Sequence, residues 1–346
     1  MQKLVPSDFS PLLQGSIFYG TGGGGSPKEA QATYQKIINS NQEIILKSLS
    51  EFDDEDIIIT SFGVGSIHST SDHQQPVENA LKYLEKYLNK KIAGIIPVEI
   101  GPKSLAMAID LASYLKLPVV DADIVGGRST PEVFLETITM FNLSRTPSAI
   151  ADDQGNVSIL TNSTSAEYEE KFFRTFANNS DGRAYVVGYP LTIKQLKEAV
   201  CDSTITQCLN AGKLIESGKL NELLSKNSGK ILFEGEVIEI QDAEQAGFTC
   251  KYLILKNNSD HAKVFIKNEN LLFWINGQLT LTCPDLIIMT TENDQPIYNL
   301  DLQIGFKVKV IGLKAPALWR GEAGQALFNP KTFGFNEPIK LGNYNQ

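Results

Sequence analysis

The stretch "IAGIIPVEIGPKSLAMAIDLASYLKLPVVDAD", residues 92–123, decides the fold, because it contains two apolar runs separated by a helical pattern. Residues 92–98 and 117–123 are short and rich in isoleucine and valine, which is typical of strands buried on both faces. Between them, residues 101–116 predict a helix that begins at a glycine–proline pair. Neighbouring strands that are joined by such a helix run parallel. The stretch therefore predicts one strand–helix–strand unit of a parallel sheet.

The same alternation continues on both sides of this unit. Further strands are expected at 43–49, 56–62 and 183–189, and further helices at 76–88, 130–141 and 166–179. From about residue 229 the pattern changes to β-branched runs separated by turns rich in Gly, Asn, Asp and Pro, which indicates antiparallel β structure. The predicted fold is an α/β domain over 1–225, with a largely parallel sheet flanked by helices, and a smaller, mostly antiparallel β domain over 230–346.

Composition and charge argue against several classes of function. The 346 residues carry a formal net charge of −9, which disfavours non-specific binding to nucleic acid or to an acidic membrane surface. No apolar run approaches the length of a transmembrane helix, and the first residues lack a signal-peptide pattern. The four cysteines form no CxxC pair, so reduced, buried thiols are expected. We therefore expect a cytoplasmic protein that binds a small molecule, and the sequence leaves a homo-oligomer open.

A run of four glycines lies in "YGTGGGGSPKEA", residues 19–30, although glycine loses the most chain entropy on folding. A helix is expected before the run, and Ser26 with Pro27 begins another after it. A dinucleotide-binding loop needs a preceding strand, and a Walker A loop ends in Gly-Lys-Ser/Thr, so neither fits. Either the run is a tight turn in a crowded core, or its N–H groups face a carbonyl or carboxylate of a small ligand. The second interpretation assigns ligand binding to Gly22, Gly23, Gly24 and Gly25.

Polar residues follow the predicted strands. Ligands of open parallel sheets bind outside the carboxyl ends of the strands, so these residues are expected to converge at one edge. The candidates are Ser66 and His68 after the 56–62 strand, Glu99 after the 92–98 strand, and Asp121, Asp123, Gly126, Gly127 and Arg128 at the end of the 117–123 strand.

The three carboxylates of this set allow two kinds of chemistry. One carboxylate can act as a general base while Arg128 anchors a carboxylate or polarises a carbonyl. Alternatively, Glu99, Asp121 and Asp123 together can hold a divalent metal ion, although the chain has only three histidines. A purely structural interpretation is that the two aspartates cap loops and that Glu99 pairs with Arg128.

Several motifs resemble a known bacterial family over nearly the whole chain. They are "GTGGGGSP" (20–27), "PVEIGPKS" (97–104), "LPVVDADIVGGRSTPE" (117–132), "NENLL" (268–272) and "GFKVKVIGLKAPALWR" (305–320). The family was first catalogued as a domain of unknown function, DUF917, and is now called S-methyl thiohydantoin desulfurase; its members often accompany hydantoinase genes. The resemblance implies an α/β domain followed by a β domain. It also implies hydrolysis of a five-membered 2-methylthio imidazolone ring, which releases methanethiol and leaves a hydantoin.

Applied to this sequence, the implied reaction gives the candidate residues roles. Asp121 or Glu99 would activate water, Asp123 would orient the ring N–H, and Arg128 with the glycine N–H groups would hold the ring carbonyl and the charge that develops in the transition state. Three residues of the turn-like "KNENLL" are expected to close the site from the β domain: Asn268, Glu269 and Asn270.

Two further functions stay open at this point. One is a metal-dependent ring hydrolysis like that of cyclic amidases, which would use the divalent ion described above; otherwise no cofactor is expected. The other is a non-catalytic ligand-binding partner of a hydantoinase-type enzyme.

Overall fold

The computed structural model describes residues 2–65, 74–245 and 248–344, and its first domain contains one large sheet. The strands of this domain are β1 (Gln2–Leu4), β2 (Ile44–Lys47), β3 (Ile57–Gly65), β4 (Ile92–Ile95), β5 (Val119–Val120), β6 (Ala122–Asp123), β7 (Ser148–Ala151), β8 (Val157–Leu160), β9 (Arg183–Thr192) and β10 (Cys201–Asp202). In the described ranges the large sheet has eight strands in the order β1-β2-β5-β4-β3-β9-β7-β8, and β6 pairs with β10 separately.

The central strands of this sheet run parallel. β2 pairs with β5, β5 with β4, and β4 with β3, each in parallel register. Antiparallel strands extend the sheet on both sides, with β1 on β2 at one side and β9, β7 and β8 at the other. The sheet is therefore mixed, with the parallel part formed by the strand–helix–strand units that the sequence predicts.

Helices flank the sheet. Their bounds are α1 (Phe9–Tyr19), α2 (Pro27–Ser40), α3 (Gln74–Leu88), α4 (Pro102–Leu115), α5 (Thr137–Met140), α6 (Ala166–Asn178), α7 (Ile193–Ala199), α8 (Thr204–Glu216) and α9 (Leu220–Lys226). Within the described ranges, no helix combines the length and the apolar character that crossing a membrane requires.

The second domain is a curled antiparallel sheet. Its strands are β11 (Gly229–Gln245), β12 (Phe248–Asn257), β13 (Asp260–Lys267), β14 (Glu269–Ile275), β15 (Gln278–Thr282), β16 (Leu286–Thr291) and β17 (Lys307–Leu313). They lie in the order β15-β14-β13-β12-β11-β17-β16, and two short helices, α10 (Ala317–Arg320) and α11 (Glu322–Leu327), follow. The predicted fold class, an α/β domain followed by a mostly antiparallel β domain, is confirmed.

Two predicted elements are wrong in their extent. The expected strand 117–123 divides at Asp121. The N–H of Asp121 makes the last bond to the large sheet, to the Lys47 carbonyl at 2.7 Å, and the next two residues pair with β10 instead. The expected helix 130–141 is reduced to α5, because the Thr130 N–H donates to the carboxylate of Glu99 and Glu132 pairs with Lys267 of the second domain. In both segments tertiary contacts override local propensity.

The two domains share one apolar core. Trp319 is fully buried, and its ring lies edge-on to Phe328 with 5.3 Å between centroids. Its indole N–H donates to the carbonyl of Val125, in the first domain, at 2.6 Å. A buried carbonyl that loses its donor costs roughly 1–3 kcal/mol, so this bond holds the β domain in a fixed position on the α/β domain.

Replacing Trp319 by phenylalanine is therefore expected to lower the free energy of unfolding more than the same change at Trp274. Both changes remove an indole, but the Trp274 indole N–H donates no hydrogen bond to the described residues, whereas Trp319→Phe leaves the Val125 carbonyl unpaired. We expect a difference of about 1–3 kcal/mol in urea unfolding. Equal losses in the two variants would contradict this role of the hydrogen bond.

Candidate functional site

A cavity of about 580 Å³ lies where the two domains meet. It adjoins the carboxyl ends of the parallel strands β3 and β4, which is the edge where open α/β sheets bind ligands. Its volume falls within the roughly 300–1,000 Å³ that is usual for small-molecule sites. The lining comes from the glycine loop 22–25, from 61–65, 98–99, 103–104 and 130–133, and, in the second domain, from 268–269 and 298–300, together with single residues of other elements.

Glu99 lines the cavity from the loop after β4. Its carboxylate accepts a hydrogen bond from the Ser104 hydroxyl at 2.7 Å and one from the Thr130 N–H at 3.1 Å. The side chain is partly exposed in the cavity, yet desolvation by the surrounding protein raises the pKa of Glu99 above its usual range. The two hydrogen bonds and the charge of Arg128 oppose this shift and favour the ionised form.

Glu269, the first residue of β14, enters the same cavity from the second domain. The side chain is only 2% exposed, and its Oε1 accepts a hydrogen bond from the Gly24 N–H at 3.2 Å. Oε2 is buried and has no hydrogen-bond partner among the residues that the structure describes. Burial raises the pKa of Glu269 well above its usual range, and the neighbouring charge of Glu99 raises it further.

These two carboxyl groups form a pair with unequal surroundings. Glu99 has two donors on its carboxylate, whereas Glu269 has one donor and deeper burial. Because like charges in a buried site disfavour each other, the interaction between Glu99 and Glu269 favours a state in which the two groups share one proton. The hydrogen bonds favour the charge on Glu99, and the deeper burial favours the proton on Glu269.

Arg128 lies behind the pair and joins the two domains. It is fully buried, its Nη1 donates to the Pro284 carbonyl, and its guanidinium stacks on the Phe328 ring at 4.6 Å. Burial lowers the pKa of Arg128 to about 10, so the group stays charged at neutral pH. Its charge lowers the pKa of both glutamates, but Arg128 does not line the cavity.

The glycine loop lines the cavity, but two of its N–H groups, those of Gly23 and Gly24, have partners within the protein. The Gly23 N–H donates to the Gly20 carbonyl at 2.8 Å, and the Gly24 N–H donates to Glu269. The expectation that these two groups hold the ligand is therefore corrected. The glycines are needed because other groups approach closely: a Cβ at Gly23 would lie 2.0 Å from Glu269 Oε1, and one at Gly24 would lie 2.4 Å from the Gly101 Cα.

Asp121 and Asp123 do not reach the cavity. The Asp121 carboxylate accepts the Thr206 N–H at 2.9 Å and its hydroxyl at 2.6 Å, and so caps the beginning of α8. Asp123 is fully buried and accepts the N–H groups of Gly126 and Gly127 at 2.8 and 2.7 Å, which closes a tight turn. Asp121, Asp123, Gly126 and Gly127 were expected to converge on the ligand edge. That expectation is corrected, because local N–H groups bind both carboxylates.

The remaining predicted residues divide into three groups. Asn268 lines the cavity in a left-handed conformation, with φ of +56°. Asn270 does not line it: its N–H donates to the Thr21 carbonyl and its Nδ2 to the Ile287 carbonyl. Ser66 and His68 lie outside the described residues.

The carboxylates do not form a metal site in the described part of the chain. Glu99, Asp121 and Asp123 each bind different donors, and across 2–65, 74–245 and 248–344 no group of three His, Cys, Asp or Glu side chains is arranged to hold a metal ion. The predicted three-carboxylate ligand set is therefore not formed.

Several lining residues were missed by reasoning from the sequence. Glu136 is buried, pairs with Arg145 at 2.8 Å, and has its pKa raised to about 7 by burial. Tyr189 and Asn299 also line the cavity. Tyr189 is the last residue of the predicted strand 183–189, which is a usable signal, whereas no pattern in the sequence marks Asn299.

Replacing Gly24 by alanine is expected to destabilise the protein more than the same change at Gly155. Both glycines have positive φ, +75° and +90°, so both variants bear similar backbone strain. A Cβ at Gly24 would lie 2.4 Å from the Gly101 Cα, whereas no described atom lies within 4 Å of a Cβ at Gly155. We expect an extra loss of about 1–3 kcal/mol in urea unfolding. Equal losses would mean that the loop is not closely packed.

Comparison with known proteins agrees with this architecture. The S-Me-THD-like N-terminal domain matches residues 7–162, and the S-Me-THD-like C-terminal domain matches residues 164–341, so β9 of the large sheet falls in the second match. The division at 225–230 that the sequence suggests stays a prediction.

A crystal structure of a protein from Chromobacterium violaceum superimposes with a TM-score of 0.84 at 22% identity, covering 99% of this chain and 100% of that one. At that identity the likeness shows the fold alone. No curated protein matches. Since the two domain matches cover almost the entire sequence, the chain belongs to the S-Me-THD-like family.

Proposed function

We propose that this chain is a hydrolase of a small, five-membered, hydantoin-like ring, and that it releases methanethiol from an S-methyl thiohydantoin. The observation that carries the proposal is the carboxyl pair, Glu99 and Glu269, which lines one cavity from two domains and has unequal surroundings. Membership of the S-Me-THD-like family supports the class of ring. All four cysteines are free thiols, which supports a cytoplasmic site of action.

In the first stage, water adds to the ring carbon that bears the sulfur. Glu99, as the ionised member of the pair, removes a proton from the attacking water. Glu269, as the neutral member, gives its proton to the ring nitrogen of the C=N bond. The product of this stage is a tetrahedral carbon that carries a hydroxyl group and the methylthio group, and each carboxyl group has changed its protonation state.

In the second stage, the carbon–sulfur bond breaks. The sulfur leaves with the bond electrons and takes the proton from Glu99, forming methanethiol. The hydroxyl group gives its proton to Glu269 as the carbonyl forms, which leaves a hydantoin. One water is consumed, and both carboxyl groups return to their starting states, so the pair serves as acid and base in both stages.

Arg128 acts in this scheme as a positioning residue. Burial raises the pKa of Glu99, and the buried charge of Arg128 opposes that rise and so favours the ionised form, while burial raises the pKa of Glu269 well above its usual range.

The direct test follows thiol release from S-methyl thiohydantoins with a thiol-reactive dye. Glu99→Gln and Glu269→Gln are each expected to lower kcat/KM by about 10²–10⁴, because each removes one proton-transfer group. Glu222→Gln, the same change at a surface ion pair, is the matched control and is expected to keep full activity. Activity that resists a chelator separates this mechanism from the metal-dependent alternative.

Two outcomes of that test would contradict the proposal. Thiol release that is unchanged in both variants would remove the pair from catalysis. No release from a varied panel of rings, combined with tight ring binding, would favour the non-catalytic ligand-binding partner instead.

The pH dependence of kcat/KM is expected to be bell-shaped. Activity needs Glu99 ionised and Glu269 protonated, so it rises as pH passes the pKa of Glu99, above 4.5, and falls as pH passes the higher pKa of Glu269. Glu99→Gln removes the neighbouring charge that raises the pKa of Glu269. The alkaline limb of its residual activity should therefore move to lower pH, and a limb that stays in place would contradict coupling between the two groups.

A further inference from the structure

The loop that contains Asn299 reaches into the cavity from the second domain. Asn299 begins a short 3₁₀ turn, Asn299–Asp301, and lines the cavity together with Tyr298 and Leu300. Asn299 itself is 7% exposed. It carries no charge, and the proton transfers described above do not use it, so its place in the cavity needs a separate explanation.

Hydrogen bonds fix the orientation of the Asn299 side chain. Its Nδ2 donates to the Asn268 carbonyl at 2.7 Å, and its backbone N–H donates to the Gly22 carbonyl at 2.9 Å. A reversed amide would place Oδ1 against the Asn268 carbonyl, and two acceptors would then face each other. The side-chain oxygen is therefore the free atom: Oδ1 is buried and finds no hydrogen-bond partner in the described part of the chain.

Gly22 packs closely against the side-chain amide of Asn299. A Cβ on Gly22 would lie 2.3 Å from each of the Cγ, Nδ2 and Oδ1 atoms of Asn299. Any side chain at position 22 would displace the amide, and the φ of +91° also favours glycine there. The first glycine of the run therefore makes room for the side-chain amide of a residue that lines the cavity.

Thr130 offers the complementary group in the same cavity. Its Oγ1 is buried and has no hydrogen-bond partner within the ranges that the structure covers, so the hydroxyl is available as a donor. The Thr130 N–H donates to Glu99, which places the residue beside the proposed base. Two residues of the cavity lining thus carry an oriented acceptor and a hydroxyl donor that have no partner among the described residues.

We propose that Asn299 Oδ1 accepts the ring N–H of a planar cyclic amide and that the Thr130 hydroxyl donates to the ring carbonyl. This inference rests on the proposed function, since it concerns the same site, and it specifies the ligand as a ring with an unsubstituted N–H beside a C=O group. A site built to bind an N–H group rejects an analogue that lacks it, because the buried acceptor then stays unpaired.

Calorimetric binding of hydantoin, 1-methylhydantoin and 3-methylhydantoin tests this assignment without turnover. The wild-type protein is expected to bind hydantoin, and one of the two methylated rings should bind about 10- to 100-fold more weakly. In Asn299→Ala, the affinity for hydantoin should fall by a similar factor, and the difference in affinity between hydantoin and that methylated ring should disappear. Thr130→Val should lower the affinity for all three rings and keep the difference in affinity between hydantoin and the methylated ring.

Asn270→Ala is the matched control for Asn299→Ala. Asn270 has the same pattern of a bonded N–H, a bonded Nδ2 and an unpartnered, buried Oδ1 within the described residues, but it lies outside the cavity. This variant should lose stability and bind hydantoin as the wild-type protein does. Any asparagine variant that fails to fold is recognised by its circular dichroism spectrum, and Asn299→Leu, which has a similar volume and no acceptor, then provides a second substitution that is expected to weaken hydantoin binding as well.

Three outcomes would overturn the assignment: hydantoin binding that is unchanged in the Asn299 variants, discrimination against the methylated ring that persists in them, or no binding of any ring by the wild-type protein. The proposed hydrolase function is contradicted by a different result. Ring binding that depends on Asn299, without thiol release from any S-methyl thiohydantoin, supports this inference and contradicts the reaction.

Discussion

The contact between Glu269 and the glycine loop is the constraint on which the site depends. A carboxyl group of the β domain must enter the α/β domain far enough to accept the Gly24 N–H and to interact with Glu99. Any side chain at position 23 would displace the Glu269 carboxyl group, because a Cβ there would lie 2.0 Å from its Oε1. The cavity therefore exists only in the assembled two-domain structure, and the bond from Trp319 to Val125 together with the buried Arg128 maintains that assembly.

The electrostatics of the cavity follow from this arrangement. Four glutamates line it, but Glu132 is paired with Lys267 and Glu136 with Arg145. The remaining two, Glu99 and Glu269, have no ion-pair partner among the described residues, and the charge of Arg128 lowers the pKa of both. Keeping both ionised would cost desolvation energy twice, whereas one shared proton relieves the repulsion and leaves an acid and a base in the same cavity. The same packing that joins the domains thus produces the chemistry that we propose.

The sequence predicts much of the fold, because alternating strands and helices leave a strong periodic signal. The strand-tip rule also leads to Glu99, since the position of a residue after a strand is a local property. The same rule led to Asp121 and Asp123, whose carboxylates instead bind N–H groups of α8 and of a tight turn. Which way a side chain turns depends on donors that the rest of the fold supplies. Asn299 could not be predicted at all, because its orientation depends on carbonyls of residues distant in the chain.

Carboxyl infrared spectroscopy at neutral pH is the most direct test of the shared proton. We expect the wild-type spectrum to contain, beside the signals of other buried carboxyl groups such as Glu136, a protonated carboxyl band that disappears in Glu269→Gln and that titrates at lower pH in Glu99→Gln, where the neighbouring negative charge is absent. A wild-type spectrum without a protonated carboxyl band that is sensitive to Glu269 would show both groups ionised. That result would contradict the account of the site as an acid–base pair formed between two domains.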